Sequence, residues 1–346
     1  MAKYKIGIVG ATGYTGSELV RILLNHQDVE ISVITADSRK GEQFVDVHPQ
    51  FQGIFDAELK GIDAIDQYDL DLVFLALPHG VSMDFVKDYY DKPFKIIDLS
   101  GDFRLSSPEI YESWYKKEHS FHSGFEKAVF GMPELFRKRI KAAKLVANPG
   151  CFPTSAILPL APLLKQGVLQ KDTITVDSKT GVTGAGNKAK PNTHFPVVND
   201  NFTAYGVKTH RHSIEIQEII NLYAGEDAKV LFTPHLLPVD RGILSTCYAK
   251  PTSSDFGEDD LKTIYSDYYG NEPFIRLVDT IPSLKQVRGT NFTDIYCTFD
   301  NRTNTIITIS VIDNLVKGAA GQAIQNMNLM LGLPEASGLK IIPLQP

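Results

Sequence analysis

The feature that most constrains this chain is a short apolar run, Lys5-Ile6-Gly7-Ile8-Val9, that breaks into Gly10-Ala11-Thr12-Gly13-Tyr14-Thr15-Gly16. Helical periodicity follows at once in Ser17-Glu18-Leu19-Val20-Arg21-Ile22-Leu23-Leu24. Strand, glycine turn and helix in immediate succession predict a parallel α/β sheet with a ligand at the carboxyl end of its first strand. The glycines stand as GxxGxxG, not the commoner GxGxxG, but the physical demands are met. They allow a tight turn, let the backbone approach a pyrophosphate closely, and aim a helix N-terminus at it. Gly10, Thr12, Gly13, Tyr14, Thr15 and Gly16 are therefore candidate cofactor ligands; a plain βα turn is the alternative.

A second strand is expected at Val29–Thr35, and in a dinucleotide fold its end reads the adenosine ribose. Asp37, Ser38, Arg39 and Lys40 stand there. An acid favours a free 2′-hydroxyl, whereas a hydroxyl beside cations suits a 2′-phosphate, so Ser38 and Arg39 lean to NADP with Asp37 dissenting. Further near-continuous apolar strands are expected at Leu70–Leu77 and Phe94–Leu99, as in a sheet covered on both faces. Arg104, just past the latter, is either an anion ligand or half of an ordinary surface ion pair.

The second chemical focus is Asn148-Pro149-Gly150-Cys151-Phe152-Pro153-Thr154-Ser155, between a short strand at Leu145–Ala147 and an apolar helix. A cysteine at or just before a helix start meets unpaired N–H groups and the positive dipole end, which favour a thiolate and then an anionic substrate oxygen. Cys151 is thus a candidate covalent nucleophile. The competing reading is a buried, inert thiol, as expected for Cys247 and Cys297 inside strand patterns.

Beyond Cys151 alternating strand patterns dominate, at 173–177, 230–233, 242–249, 294–299 and 305–312, with a helix at 213–223. They imply a second, α+β domain, in keeping with 346 residues, more than one compact core usually holds. The glycine-rich stretch 179–190 is assigned to substrate closure. His210-Arg211-His212 suggests a general base beside an anion clamp. An HxH pair can also bind metal, but no carboxylate or cysteine stands at evident ligand spacing, and no metal is expected. The last segment, 313–330, reads as an amphipathic helix capped by Asp313 or Asn314; if it returns to the first domain, Asn314 and Gly318 could reach a nicotinamide.

The net charge of −6 offers no general attraction to nucleic acid or anionic membranes. Three dispersed cysteines argue against a disulfide framework and fit a reducing cytoplasm, and no apolar run is long enough to span a bilayer.

Taken in order, six motifs give the chain its resemblance to the N-acetyl-γ-glutamyl-phosphate reductase family, relatives of aspartate-semialdehyde dehydrogenase. They are Gly10–Gly16, Asp98–Leu105, Asn148–Thr154, Gly181–Gly186, His210–His212 and Lys317–Ala323. Gly101, Ser155 and Ser213 depart from the family pattern, each by a small-residue exchange. The resemblance implies a Rossmann-like doubly wound NADP-binding domain over 1–150, completed by 314–346, and an α+β catalytic and dimerisation domain over 151–313. It also implies a C-terminal helix returning to the first domain and assembly as a homodimer or homotetramer. NADPH-dependent reductive dephosphorylation through a Cys151 thioester is the implied chemistry, with His210 as acid–base and His212 as its fallback. Arg104, Arg211 and Asn148 fall on the substrate side, and Ser38, Arg39 and Asn314 on the cofactor side. The same chemistry on aspartyl phosphate, or on an acyl phosphate borne by a carrier protein, is the nearest rival. A non-catalytic NADP-binding regulator is the rival of another class, and the presence of both Cys151 and His210 weighs against it.

Overall fold

The computed structural model describes residues 3–224 and 227–344; Met1, Ala2 and the last two residues of the expected C-terminal segment lie outside them. Two compact units result, Met1–Pro149 with Ala319–Lys340, and Gly150–Gly318 with Ile341–Pro346. The C-terminal stretch grouped with the first unit is Ala319–Lys340.

The first unit is built on six parallel strands, β1 (Tyr4–Val9), β2 (Val29–Thr35), β3 (Leu72–Leu75), β4 (Lys95–Asp98), β5 (Ala128–Phe130) and β6 (Leu145–Ala147). Their order is β2-β1-β3-β4-β6-β5, so the chain runs outward from β1 in both directions. All four residues of β3 are buried, as are Ile96 and Ile97 of β4 and the whole of β6. This all-apolar character is what a sheet sandwiched between helices requires. Helices α1 (Tyr14–Leu23), α2 (Ser82–Tyr89), α3 (Pro108–Tyr115) and α4 (Pro133–Ala142) connect the strands. Met83, Phe85 and Val86 of α2 pack with Val73, Leu75, Ile96 and Leu145 in one core. The α3 start is set by Pro108 in its first turn and by Ser107, whose side chain accepts the Ile110 N–H. The helix Gly321–Met330 closes the unit, buried along its whole length.

The second unit holds a seven-stranded mixed sheet, ordered β11-β12-β13-β10-β7-β9-β8. Its strands are β7 (Ile174–Thr180), β8 (Thr203–Ala204), β9 (Val230–Leu236), β10 (Ile243–Ala249), β11 (Ile275–Leu277), β12 (Thr293–Asp300) and β13 (Thr305–Ile312). β7 alternates buried and half-buried at every residue, the mark of a sheet with one covered face. Helices α5 (Cys151–Lys165), α6 (His212–Ala224) and α7 (Glu258–Tyr269) complete the unit.

Helix α5 carries Pro159 and Pro162 in its interior, a position that ordinarily breaks a helix because a backbone donor is missing. The orphaned carbonyls lie four residues earlier, on Ser155 and Leu158, and each finds a hydroxyl. Ser310 Oγ donates to Ser155 O at 2.5 Å, and the Tyr269 hydroxyl to Leu158 O at 2.6 Å. The Tyr265 hydroxyl donates to the Pro159 carbonyl. Side chains from β13 and α7 thus replace the donors that the prolines remove, so α5 stays continuous over 15 residues.

Candidate active site

Cys151 is the first residue of α5, and Gly150 is its N-cap with no side-chain cap. The first N–H groups of a helix have no intrahelical partner, and Pro153 contributes none. Cys151 and Phe152 carry the first N–H groups of this end, where the helix dipole is positive. Gly150 itself is anchored, since its N–H donates to Glu215 Oε1 at 2.8 Å. Glu215 sits on α6 and is 1% exposed. Its other oxygen, Oε2, stands 4.0 Å from Nε2 of His212, three residues earlier on the same helix.

The histidines are seated on aromatic rings. Phe152 meets His210 edge-on at 5.5 Å and His212 at 5.8 Å. His210 also contacts Phe232 and Tyr205, each at 5.6 Å between ring centres. Nδ1 of His210 accepts the N–H of His212 at 3.2 Å, so the neutral ring carries its proton on Nε2. Burial, and then the neighbouring Arg211 charge, lower the His210 pKa from 6.5 to about 4. His210 is therefore neutral at physiological pH and suited to donating a hydrogen bond. His212 lies beside the buried Glu215 carboxylate. Tyr205 was not singled out in the sequence; burial and the proximity of Cys151's charge raise its pKa, keeping the phenol protonated.

Burial pushes Cys247 up to about 12 and Cys297 up to about 11, so both stay protonated thiols.

The glycine loop of the first unit is tight where it must be and open where a ligand would approach. Gly10 has φ +90°, and a Cβ there would lie 2.4 Å from Ala76 O. At Gly16 a Cβ would meet Gly10 O at 2.5 Å. Gly13, the N-cap of α1, faces open space, and no side chain caps the helix. Tyr14 and Thr15 make the first turn. Such an opening, bounded by backbone N–H groups, fits a pyrophosphate. Ser38, Arg39 and Lys40 are exposed at the end of β2. Asp37, the dissenting acid, is engaged elsewhere, its Oδ1 accepting the Ile62 N–H at 2.8 Å. Arg39 pairs with Glu42 across the surface at 2.8 Å, an interaction weak enough to yield to a phosphate.

Arg104 is 6% exposed and donates to Leu99 O at 2.7 Å. At the end of β4, just before this loop, burial and then Asp102 raise the Asp98 pKa to about 6.

Asn148 and Asn314, expected as ligands, also make hydrogen bonds within their own units. Asn148 donates to Ala319 O at 3.1 Å and accepts from Asn326 Nδ2 at 3.0 Å. Asn314 accepts the Gly242 N–H at 2.8 Å and donates to Thr183 Oγ1 at 3.0 Å. Each secures a backbone group, the Ala319 carbonyl and the Gly242 N–H respectively. The second unit thus gathers Cys151, Tyr205, His210, His212 and Glu215, and Arg211 is exposed beside them in sequence. The first holds the glycine loop, Ser38, Arg39 and Arg104. Among the described residues, no group of three or more His, Cys, Asp or Glu side chains could hold a metal ion.

Residues 5–143 match the family model of the semialdehyde dehydrogenase NAD binding domain, and residues 151–314 that of the semialdehyde dehydrogenase dimerisation domain. N-acetyl-gamma-glutamyl-phosphate reductase of Caldicellulosiruptor saccharolyticus is 50% identical over 98% of both chains. The protein of the same name from Pelotomaculum thermopropionicum is 48% identical over 97% of both. The chain belongs to the N-acetyl-γ-glutamyl-phosphate reductase family. Its fold is also that of aspartate semialdehyde dehydrogenase II of Vibrio cholerae, with TM-score 0.74 and 16% identity over 96% of this chain and 99% of that one. Members of the reductase family and this more distant dehydrogenase thus share an architecture at very different levels of sequence identity.

Proposed function

We propose that this chain reduces N-acetyl-γ-glutamyl phosphate to N-acetylglutamate γ-semialdehyde with release of phosphate, a step of arginine biosynthesis, through a covalent intermediate on Cys151. The observation that carries the reading is the placement of Cys151 at the first position of α5, with Glu215 binding both the preceding N–H and the neighbourhood of His212. His212 takes the thiol proton, and the Glu215 carboxylate offsets the charge this creates. The thiolate attacks the γ-carbonyl carbon; the bond from that carbon to the phosphate oxygen breaks, phosphate leaves, and a thioester remains. While the carbon is tetrahedral its oxygen is negative, and the positive dipole end of α5 favours that charge.

The glycine loop and the Ser38–Arg39 corner are the residues that would hold NADPH, which when bound would supply a hydride to the thioester carbon, leaving a hemithioacetal on Cys151 that becomes the aldehyde when its carbon–sulfur bond breaks. As the carbon–sulfur bond then breaks, His212 returns its proton to sulfur. His210, held neutral, donates a hydrogen bond from Nε2; this exchanges the roles that resemblance alone suggests for the two histidines. Arg104 and Arg211 are the guanidinium groups for the phosphate and the α-carboxylate.

The partner is a second copy of the chain, meeting it on the open face of the seven-stranded sheet. Register aligns Leu231, Thr175, Tyr248 and Ile307 across that face, and Leu231 and Tyr248 are exposed there. No helix among the described residues is long and apolar enough to cross a membrane. A cytoplasmic location is the reading that the free cysteines favour.

Running the reaction backwards tests the assignment. N-acetylglutamate semialdehyde and NADP should give sustained turnover, many reduced cofactors per subunit, only when phosphate is present. Turnover with aspartate semialdehyde and silence with the N-acetylated aldehyde would move the substrate.

A further inference from the structure

The turn after β13 is clamped at both of its first residues. Asp313 is fully buried, and its carboxylate accepts the N–H groups of Gly289 at 2.7 Å, Leu315 at 2.9 Å and Val316 at 3.2 Å. Arg241 reaches the same carboxylate at 3.0 Å. Asn314 is fixed in turn to Gly242 and Thr183. The chain then winds through Val316–Ala320 as a π-helix, a widened turn that recurs at functional positions because it offsets the residues it carries. Within it the Gly318 N–H bonds Asp313 O at 3.0 Å. A Cβ on Gly318 would lie 2.8 Å from Cys151 Cβ and 3.2 Å from its Cα. The main chain of this turn therefore rests directly against the residue that bears the thiol.

We propose that Asp313 is a positioning residue for Cys151, acting through the π-turn to seat Gly318 against it. The inference rests on Cys151 being the nucleophile. A carboxylate has only acceptor oxygens and can take N–H donors from Gly289, Leu315, Val316 and Arg241 together. An amide in its place turns one of those oxygens into an NH2 group that confronts donors. The turn must then shift, and Gly318 with it. A misplacement of about 1 Å at a reacting group costs on the order of 100-fold in rate.

The test reads the thiol directly. The rate at which iodoacetamide alkylates Cys151 is measured in the full-length enzyme without substrate, beside kcat and KM for the reverse reaction. Asp313→Asn and Gly318→Ala are each expected to change the alkylation rate of Cys151 severalfold. Each should also lower kcat roughly 10- to 100-fold, with KM for the semialdehyde held within about twofold. Gly318→Ala leaves the carboxylate untouched, so it decides the matter if Asp313→Asn does not fold. Folded variants that alkylate and turn over at the parent rate would overturn the proposal. So would an Asp313→Asn protein that is less stable yet unchanged in thiol reactivity. Full activity in Cys151→Ser would instead sink the nucleophile assignment, leaving any shift in alkylation rate standing.

Discussion

Replacing Glu215 by Gln isolates the charge on which the acid–base chemistry depends. The substitution keeps the volume at a site 1% exposed, and the amide oxygen can still accept the Gly150 N–H that Glu215 holds at 2.8 Å. What disappears is the negative charge 4.0 Å from His212 Nε2. At that separation a unit-charge pair is worth about 4 kcal/mol in an environment of effective dielectric near 20, which sets a ceiling. The amide dipole and residual solvent recover part of it, so kcat should fall roughly 10- to 100-fold, or about 1.4–2.7 kcal/mol. The direction of the pH effect is also fixed. Without the carboxylate a protonated His212 is less favourable, so the rising limb of kcat against pH moves to lower pH while the plateau drops. The assay is reduced-cofactor absorbance in the reverse reaction from pH 5.5 to 9, with unfolding in urea as a control. A folded Glu215→Gln enzyme within twofold of the parent, with an unmoved limb, would refute the pairing of Glu215 with His212.

Other consequences can be measured separately. His210, with its pKa lowered to about 4, binds a proton in the unfolded chain but not in the folded one between pH 6.5 and 4. Stability should therefore be complete above pH 6.5 and decline by up to about 3 kcal/mol as pH falls to 4, a loss that His210→Gln should reduce in urea titrations. Tyr269→Phe strands the Leu158 carbonyl opposite Pro162 and should cost about 1–3 kcal/mol in urea unfolding. With Cys247 pushed up to about 12 and Cys297 to about 11, iodoacetamide at pH 8 should mark Cys151 alone in a peptide map. Arg39→Gln should weaken NADP binding, read by fluorescence titration, far more than NAD binding; equal effects would remove Arg39 from the 2′-phosphate.

What the sequence made legible was local chemistry. The loop Gly10–Gly16 announces itself because glycine is needed where a Cβ would strike backbone, and both Gly10 and Gly16 are such positions. Cys151 could be placed at a helix start because a glycine and prolines punctuate its turn. β5 and β11, of three residues each, went unread, whereas the equally short β6 was flagged by the glycine and prolines that follow it. Helices α3, α4 and α7 went unread as well. Asn148 and Asn314 illustrate a second limit: the backbone groups they secure across the chain, Ala319 O and the Gly242 N–H, cannot be read from their place in the sequence. Glu215 illustrates the converse. It looks like an ordinary helix carboxylate, and the one available signal was its spacing of three residues from His212, which places both on one helical face.

The covalent intermediate is the central claim, and omitting phosphate from the reverse reaction exposes it. With N-acetylglutamate semialdehyde and NADP but no phosphate, the enzyme should form one reduced cofactor per subunit in a burst. It should then stall, with an N-acetylglutamyl group on the peptide containing Cys151; Cys151→Ser should show neither. Steady turnover without phosphate, or a burst that survives in Cys151→Ser, would contradict the account.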